Sequence, residues 1–222
     1  MKKLLLGIGG LSLLATLSCG DGNIFEPEDP AVQAAIDSAL IVNYLADLGY
    51  EGDQVGITAS GVRFVVLDSG EVVGDPISTT IEDGDIVTFN YTGKTLLDTI
   101  FDTSIRKVAD SIRMAVESTL DGDTSNIQSA LLSSFSEDSD YNPFQFTYSR
   151  GSWTTGQNII GFSLISGFRE GFGSSLYKVR VGGKTLIVIP SGQAYGASGA
   201  GVLIGSNEVI AFELYPIELT KQ

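Results

Sequence analysis

The period of the apolar positions changes several times along the chain. Over residues 30–48 the apolar side chains Val32, Ile36, Ala39, Leu40, Tyr44 and Leu48 recur at helical spacing on one face. Asp29 stands where an N-cap belongs, Pro30 suits the first helical position, and Gly49 sits where a helix stops. This predicts a helix whose apolar stripe needs cover, either from the rest of its own chain or from a partner chain.

After Gly56 the period falls to two. Val62, Phe64 and Val66 alternate with Arg63, Val65 and Leu67, and Ile86, Thr88 and Asn90 with Val87, Phe89 and Tyr91. Asp83-Gly84-Asp85 is the turn between these two strands. Residues 144–148, 184–189 and 208–219 read as further strands, and 165–172, with Gly167 and Gly171 inside, as a brief helix. A second helical stripe runs through Ile105, Val108, Ala109, Ile112, Ala115, Val116 and Leu120, closed by Asp121-Gly122-Asp123. A shorter helix over 127–135 and an acidic connection over 136–140 follow. The sum is α+β: an antiparallel sheet with one short helix packed on it, plus an N-terminal helix and a helical insertion.

The first residues have a different character. Lys2 and Lys3 precede an apolar run over 4–17, too short for an ordinary membrane-spanning helix. With Ser18 before Cys19 this resembles a bacterial lipoprotein leader: a signal peptide over 1–18, diacylglycerol on the Cys19 thiol, and a tether over 19–29. Thr16 stands where such leaders usually carry Leu, with Leu17 displaced by one. The expected location is the bacterial cell envelope, membrane-anchored and facing the periplasm or the cell surface. The remaining segments are an N-terminal helix over 30–52 and a main domain over 53–222, with insertions at about 104–142 and 149–161.

Composition narrows the chemistry. The net charge of −14 argues against nucleic acid as a partner, since phosphate binding needs a basic face. The chain has no His, which removes His-based acid–base catalysis, a Ser-His-Asp triad and His-ligated metals. Its one Cys permits no internal disulfide and no thiolate cluster. The acidic residues Asp121, Asp123, Glu137, Asp138 and Asp140 lack calcium-loop spacing and read as solvated loops. No cofactor and no metal is expected.

Six separated segments, in order, resemble the FKBP-type peptidyl-prolyl isomerases. They are the run from Asp83-Gly84-Asp85 to Tyr91-Thr92-Gly93; Ile100-Phe101-Asp102-Thr103-Ser104; Pro143-Phe144-Gln145-Phe146; Leu164-Ile165-Ser166-Gly167-Phe168-Arg169-Glu170-Gly171; Val181-Gly182-Gly183-Lys184 with Ile189-Pro190 and Ala194-Tyr195-Gly196; and Ile204 with Asn207 and Phe212-Glu213-Leu214. The lead-in, Tyr44-Leu45 and Ser60-Gly61-Val62, looks like that of bacterial lipoprotein members. The resemblance covers roughly residues 80–104 and 143–219.

Residue by residue it implies a pocket of Tyr91, Phe101, Asp102, Phe144, Leu164, Ile165, Phe168, Tyr195, Ile204 and Phe212. Phe168 would be the floor, where the family often has Trp; Trp153 lies in an extra stretch. Tyr91, Phe101 and Phe212 would be walls, the Tyr195 hydroxyl and the Ile165 N–H would hold substrate carbonyls, and Asp102 would orient. Gly205-Ser206 replaces a common Pro-Pro, and Gly199-Ala200-Gly201 adds flexibility to the same rim.

The implied activity is isomerisation of X–Pro bonds in exported proteins, so proline-containing polypeptides are the expected partners, with the membrane reached through lipidated Cys19. The alternative is a weakly active or inactive FKBP-like lipoprotein that binds a partner or unfolded client through its insertion. Carbohydrate binding through Trp153 and Tyr148 is a third reading. The oligomeric state is open.

Overall fold

The structure is a computed structural model that describes residues 29–70, 81–119, 125–149, 152–155 and 166–222. The leader, Cys19, the Asp121-Gly122-Asp123 turn, Leu164 and Ile165 lie outside the described residues. The first helix, α1, spans Pro30–Asp47; the Asp29 side chain accepts from the Ala31 N–H at 2.9 Å, and Gly49 adopts φ +85° just beyond its end.

The face that α1 buries differs from the one its apolar spacing predicts. Asp37, Ile41 and Leu45 are buried, while Val32, Ile36, Leu40 and Leu48 remain 44–53% exposed. The docked face is turned by one residue, about 100° around the helix axis. The reason is polar. Both the N–H and the hydroxyl of Ser191 donate to Asp37 Oδ2, at 2.8 and 2.7 Å, and Gln33 Nε2 donates to Oδ1 at 2.7 Å. Arg63 adds a bond from Nη2 to Ser38 Oγ at 3.0 Å. A count of apolar residues does not register a carboxylate that finds three donors. The helix docks on its own domain, against Val65, Leu186, Val188 and Ala211.

Among the described residues eight antiparallel strands form one sheet: β1 Val55–Ile57, β2 Arg63–Asp68, β3 Ile86–Thr95, β4 Ile100–Thr103, β5 Phe144–Ser149, β6 Ser152–Thr155, β7 Lys184–Ile189 and β8 Ile210–Thr220. Their order is β1-β2-β7-β8-β3-β5-β6, with β4 paired beside β3. The turn at Glu82–Asp85 forms as expected, closed by Asp85 N–H to Glu82 O at 3.1 Å. It leads into β3 but does not join a hairpin, because β2 pairs with β7 and β3 with β4, β5 and β8. The stretch read as a second insertion supplies β6, which pairs with β5.

Alternation along the strands gives the sheet two apolar faces. Val65, Leu186 and Val188 turn to α1; Phe64, Val87, Phe89, Ile187, Ile189, Phe212 and Leu214 turn the other way. On that second face lies α4, Ser166–Ser175, which buries Phe168 and Phe172. Two glycines let it close on β7. A Cβ at Gly167 would stand 2.3 Å from Ile189 Cγ2, and one at Gly171 3.0 Å from Ile187 Cγ2. The architecture is α+β, as the periodicity predicts.

The segment between β4 and β5 folds as α2, Arg106–Ser118, and α3, Asn126–Ser134, the latter opened by a Ser125–Gln128 capping box. Among its described residues Ala109, Val116 and Phe135 are the buried apolar ones. Its acidic tail is held by arginines of α2: Arg113 pairs with Glu137 at 2.7 Å, and Arg106 donates to Ser139 O at 3.1 Å while covering the Tyr141 ring at 4.9 Å. Among the described residues no helix is long and apolar enough to cross a membrane.

Asp37→Ala should lower stability by about 3 kcal/mol, because it leaves the buried Ser191 N–H and hydroxyl without acceptors. The urea midpoint measures this; a midpoint within error of wild type would show that the apolar contacts alone hold α1.

Candidate functional site

Four strands bring aromatic side chains to one end of the α4 face. Tyr91 comes from β3, Phe101 and Asp102 from β4, Phe144 from β5 and Phe212 from β8. The register sets Gly93 opposite both Asp102 and Phe212. Gly93 is where the rings close: a Cβ there would stand 2.6 Å from the Phe212 ring and 2.7 Å from the Phe101 ring. Phe101 meets Phe212 edge-on at 5.6 Å between centroids, Tyr91 meets Phe144 at 5.2 Å, and Tyr91 meets Phe212 at 6.2 Å.

These residues line a cavity of about 540 Å³, within the range of small-ligand sites. Tyr91, Phe101, Asp102, Phe144, Tyr195, Ile204 and Phe212, seven of the residues the resemblance implies, meet there. Phe168 does not reach its surface. It is fully buried, edge-on to Phe212 at 5.0 Å between centroids. Leu164 and Ile165 lie outside the described residues, and the expected Ile165 N–H contact with them. Tyr148 is not available to a sugar: it is fully buried and its hydroxyl donates to Gly173 O at 2.7 Å.

The polar groups have distinct settings. The Tyr91 hydroxyl donates to Asp102 Oδ2 at 2.8 Å. Burial pushes the Asp102 carboxyl above the usual carboxylate range, partly offset by hydrogen bonds from Tyr91 and the Thr103 N–H. Burial, and then the neighbouring Asp102 charge, drives both the Tyr91 and Tyr195 hydroxyls upward. Both tyrosines therefore remain O–H donors at neutral pH. Among the described residues no group of three or more acidic or Cys side chains is placed to hold a metal.

Tyr195 is presented by a braced loop. Ser191, at its start, is gripped by Asp37 of α1, and Gln193 Oε1 accepts from Ser166 Oγ at the start of α4 at 2.7 Å. The glycine-rich rim that follows is also tied. Ala200 N–H donates to Ile204 O at 2.8 Å, and Asn207 N–H to Gly196 O at 2.9 Å. These bonds close the rim into a hydrogen-bonded turn. Gly199, at φ +60°, is required there, since a Cβ would stand 2.5 Å from Ile204 O.

Sequence reasoning missed two groups of lining residues: Ala130 and Ser134 of α3, and Val202 with Leu203 on the rim. The α3 helix is legible, but nothing in its spacing says which neighbour its small residues meet.

No protein-family model and no curated protein matches the chain. Among solved structures it is similar to FkpA from Escherichia coli, with 19% identity and a TM-score of 0.45 over 86% of this chain and 62% of that one. It is also similar to a peptidyl-prolyl cis-trans isomerase from Pseudomonas syringae pv. tomato, with 20% identity and a TM-score of 0.44 over 87% of this chain and 97% of that one. The chain thus spans less than two thirds of the length of FkpA.

Tyr91→Phe removes the hydroxyl that favours ionised Asp102, so the carboxyl should titrate still higher. Ionisation of a group raised in the folded state opposes folding, so its contribution is present at low pH and lost as pH rises through the raised value. The variant should extend that loss to higher pH. The Asp102 carboxyl carbon shift, followed by NMR against pH, reads it; an unchanged titration would show that the hydrogen bond has no such role. Gly93→Ala should cost about 1–3 kcal/mol by forcing the Phe101 and Phe212 rings apart, measured by urea unfolding.

Proposed function

We propose that the chain is a peptidyl-prolyl cis–trans isomerase of FKBP type, acting on X–Pro bonds of exported polypeptides from a membrane anchor at lipidated Cys19. The observation that carries this reading is the cavity in which Tyr91, Phe101, Phe144 and Phe212 surround a space bordered by Asp102 and Tyr195. The motif order described above supports it independently.

The reaction needs no nucleophile. Rotation about an X–Pro bond is opposed by a barrier of about 20 kcal/mol, because amide resonance is lost at the twisted state. Carbonyl polarity falls as resonance is lost, so an apolar, water-poor cavity disfavours the planar amide relative to the twisted one. The rings hold the pyrrolidine by shape. The Tyr195 hydroxyl, kept protonated by burial, donates to a substrate carbonyl and fixes one side of the bond while the other turns. Asp102 is held by Tyr91, so its part is to set the ring of Tyr91 and the polarity of the wall.

NMR exchange spectroscopy on a proline peptide tests the activity. Wild type should accelerate exchange well above background. Tyr195→Phe should lower kcat/KM by about tenfold, the worth of one hydrogen bond to the reacting group, with Phe101→Ala losing at least as much. Background exchange from folded wild type would sink the enzyme reading and leave the client-binding alternative. The anchor has its own test: mass spectrometry of membrane-extracted protein should find acyl chains on Cys19, and Cys19→Ser should release the chain from the membrane.

A further inference from the structure

A second cavity, of about 480 Å³, lies on the other face of the sheet, between α1 and β1. Val42 and Leu45 of α1 line one side, and Val55 and Ile57 of β1 the other. The register explains the second side. Val55 stands opposite Val65 and Ile57 opposite Arg63, so all four side chains share the face turned to α1. Leu45 is buried, but Val42 is 50% and Ile57 63% exposed, so the cleft keeps an open apolar mouth.

The two ends of the cleft differ in charge. Glu51, on the connection from α1 to β1, lines one end, and Arg63 lines the other, beside Ser38. Arg63 Nη2 donates to Ser38 Oγ at 3.0 Å and Nη1 to Ser38 O at 3.5 Å. These bonds use two of the five N–H donors of a guanidinium, and both acceptors are neutral. Among the described residues no carboxylate pairs with Arg63, in a chain with 27 acidic residues against 13 basic ones. Burial pushes the guanidinium below its usual range, as befits a cation that loses water without gaining a counter-charge.

The cleft also borders unpaired backbone. Among the described residues β1 pairs with β2 alone, at the end of the strand order. The Thr58 N–H donates to Val62 O at 2.9 Å, so by the alternation of an antiparallel ladder Gly56 faces β2, while Val55 and Ile57 direct their backbone groups outward. The Val55 N–H is taken by Gly52 O; the Val55 carbonyl and both backbone groups of Ile57 remain. We infer that this cleft is a docking site for the C-terminal end of a polypeptide, whose last residues extend along β1 with apolar side chains between Val42 and Ile57 and whose α-carboxylate pairs with Arg63. Such an end meets all three features: apolar walls, a free strand edge and a cation without a counter-charge. A fatty acid would pair with Arg63 and leave the strand edge unmet; an internal strand would meet the edge and leave Arg63 unpaired. The cleft lies on the sheet face opposite the aromatic cavity, so the inference stands apart from the isomerase reading.

The test uses the folded chain and a fluorescein-labelled, proline-free peptide of alternating Val and Thr ending in Leu, made both with a free C-terminus and as the carboxamide. Fluorescence anisotropy should find the free acid bound about tenfold more tightly than the amide or better, the worth of one charge-assisted pair. The Val42, Val55 and Ile57 amide signals should shift in NMR spectra. Arg63→Gln should weaken the acid alone and so erase the difference. Because Arg63 also bonds to Ser38, Ser38→Ala is made beside it; this variant loses the Oγ bond, keeps the guanidinium and should bind the acid as wild type does. Ile57→Asp, at an exposed position, should weaken the acid about tenfold without loss of fold, checked by circular dichroism. Equal affinity for acid and amide, or a loss in Ser38→Ala as large as in Arg63→Gln, would overturn the site. So would displacement of the peptide by dodecanoate at equal concentration, which would make the ligand a single-chain amphiphile, or a dimer in sedimentation that Ile57→Asp dissociates, which would make it a second copy. No binding at millimolar peptide would end the site and leave the isomerase reading to its exchange assay; background exchange with tight binding of the acid would do the reverse.

Discussion

Two phenyl rings meet over bare backbone at Gly93, and the geometry of the cavity follows from that contact. Phe101 and Phe212 arrive from strands on either side of β3, and any side chain at Gly93 would hold them apart. Tyr91, two residues earlier, donates to Asp102 of β4, and Phe144 of the neighbouring β5 packs on the Tyr91 ring. Phe168, fully buried, packs edge-on against Phe212. The site is therefore a product of sheet register first and of side-chain identity second.

The same dependence on backbone placement runs through the loop that carries Tyr195. Its start is gripped by the carboxylate of α1 and its middle by the first residue of α4, elements on opposite faces of the sheet. A helix that the spacing presents as an apolar stripe thus attaches through a polar residue. The buried Asp37 is satisfied by three donors, which is the condition under which a carboxylate sits in an interior without heavy cost.

Much of this was legible from the residues. Asp29 and Gly49 marked the ends of α1, period-two runs located β2, β3, β5, β7 and β8, and the segment 165–172 read as the brief helix that packs on the sheet. Those features are local, and local stereochemistry determines them. What stayed hidden was relational. The docked face of α1 depends on where Ser191 lies, more than 150 residues away in the chain. The short strand β6 has too few residues to show a period. The packing of Phe168 depends on Phe212, and the α3 lining on how the segment between β4 and β5 folds back. None of these is carried by the spacing of the residues concerned.

The position of β8 has a consequence for synthesis. Last of the described strands in the chain, it lies in the middle of the sheet, between β7 and β3. Until it emerges from the ribosome, β1, β2 and β7 on one side and β3 to β6 on the other have no strand to bridge them. A nascent chain would hold two sheet fragments with open hydrogen-bonding edges, prone to pair with strangers. Maturation of this protein therefore turns on a single late annealing event, which completes the backbone ladder and the ring cluster in the same stroke.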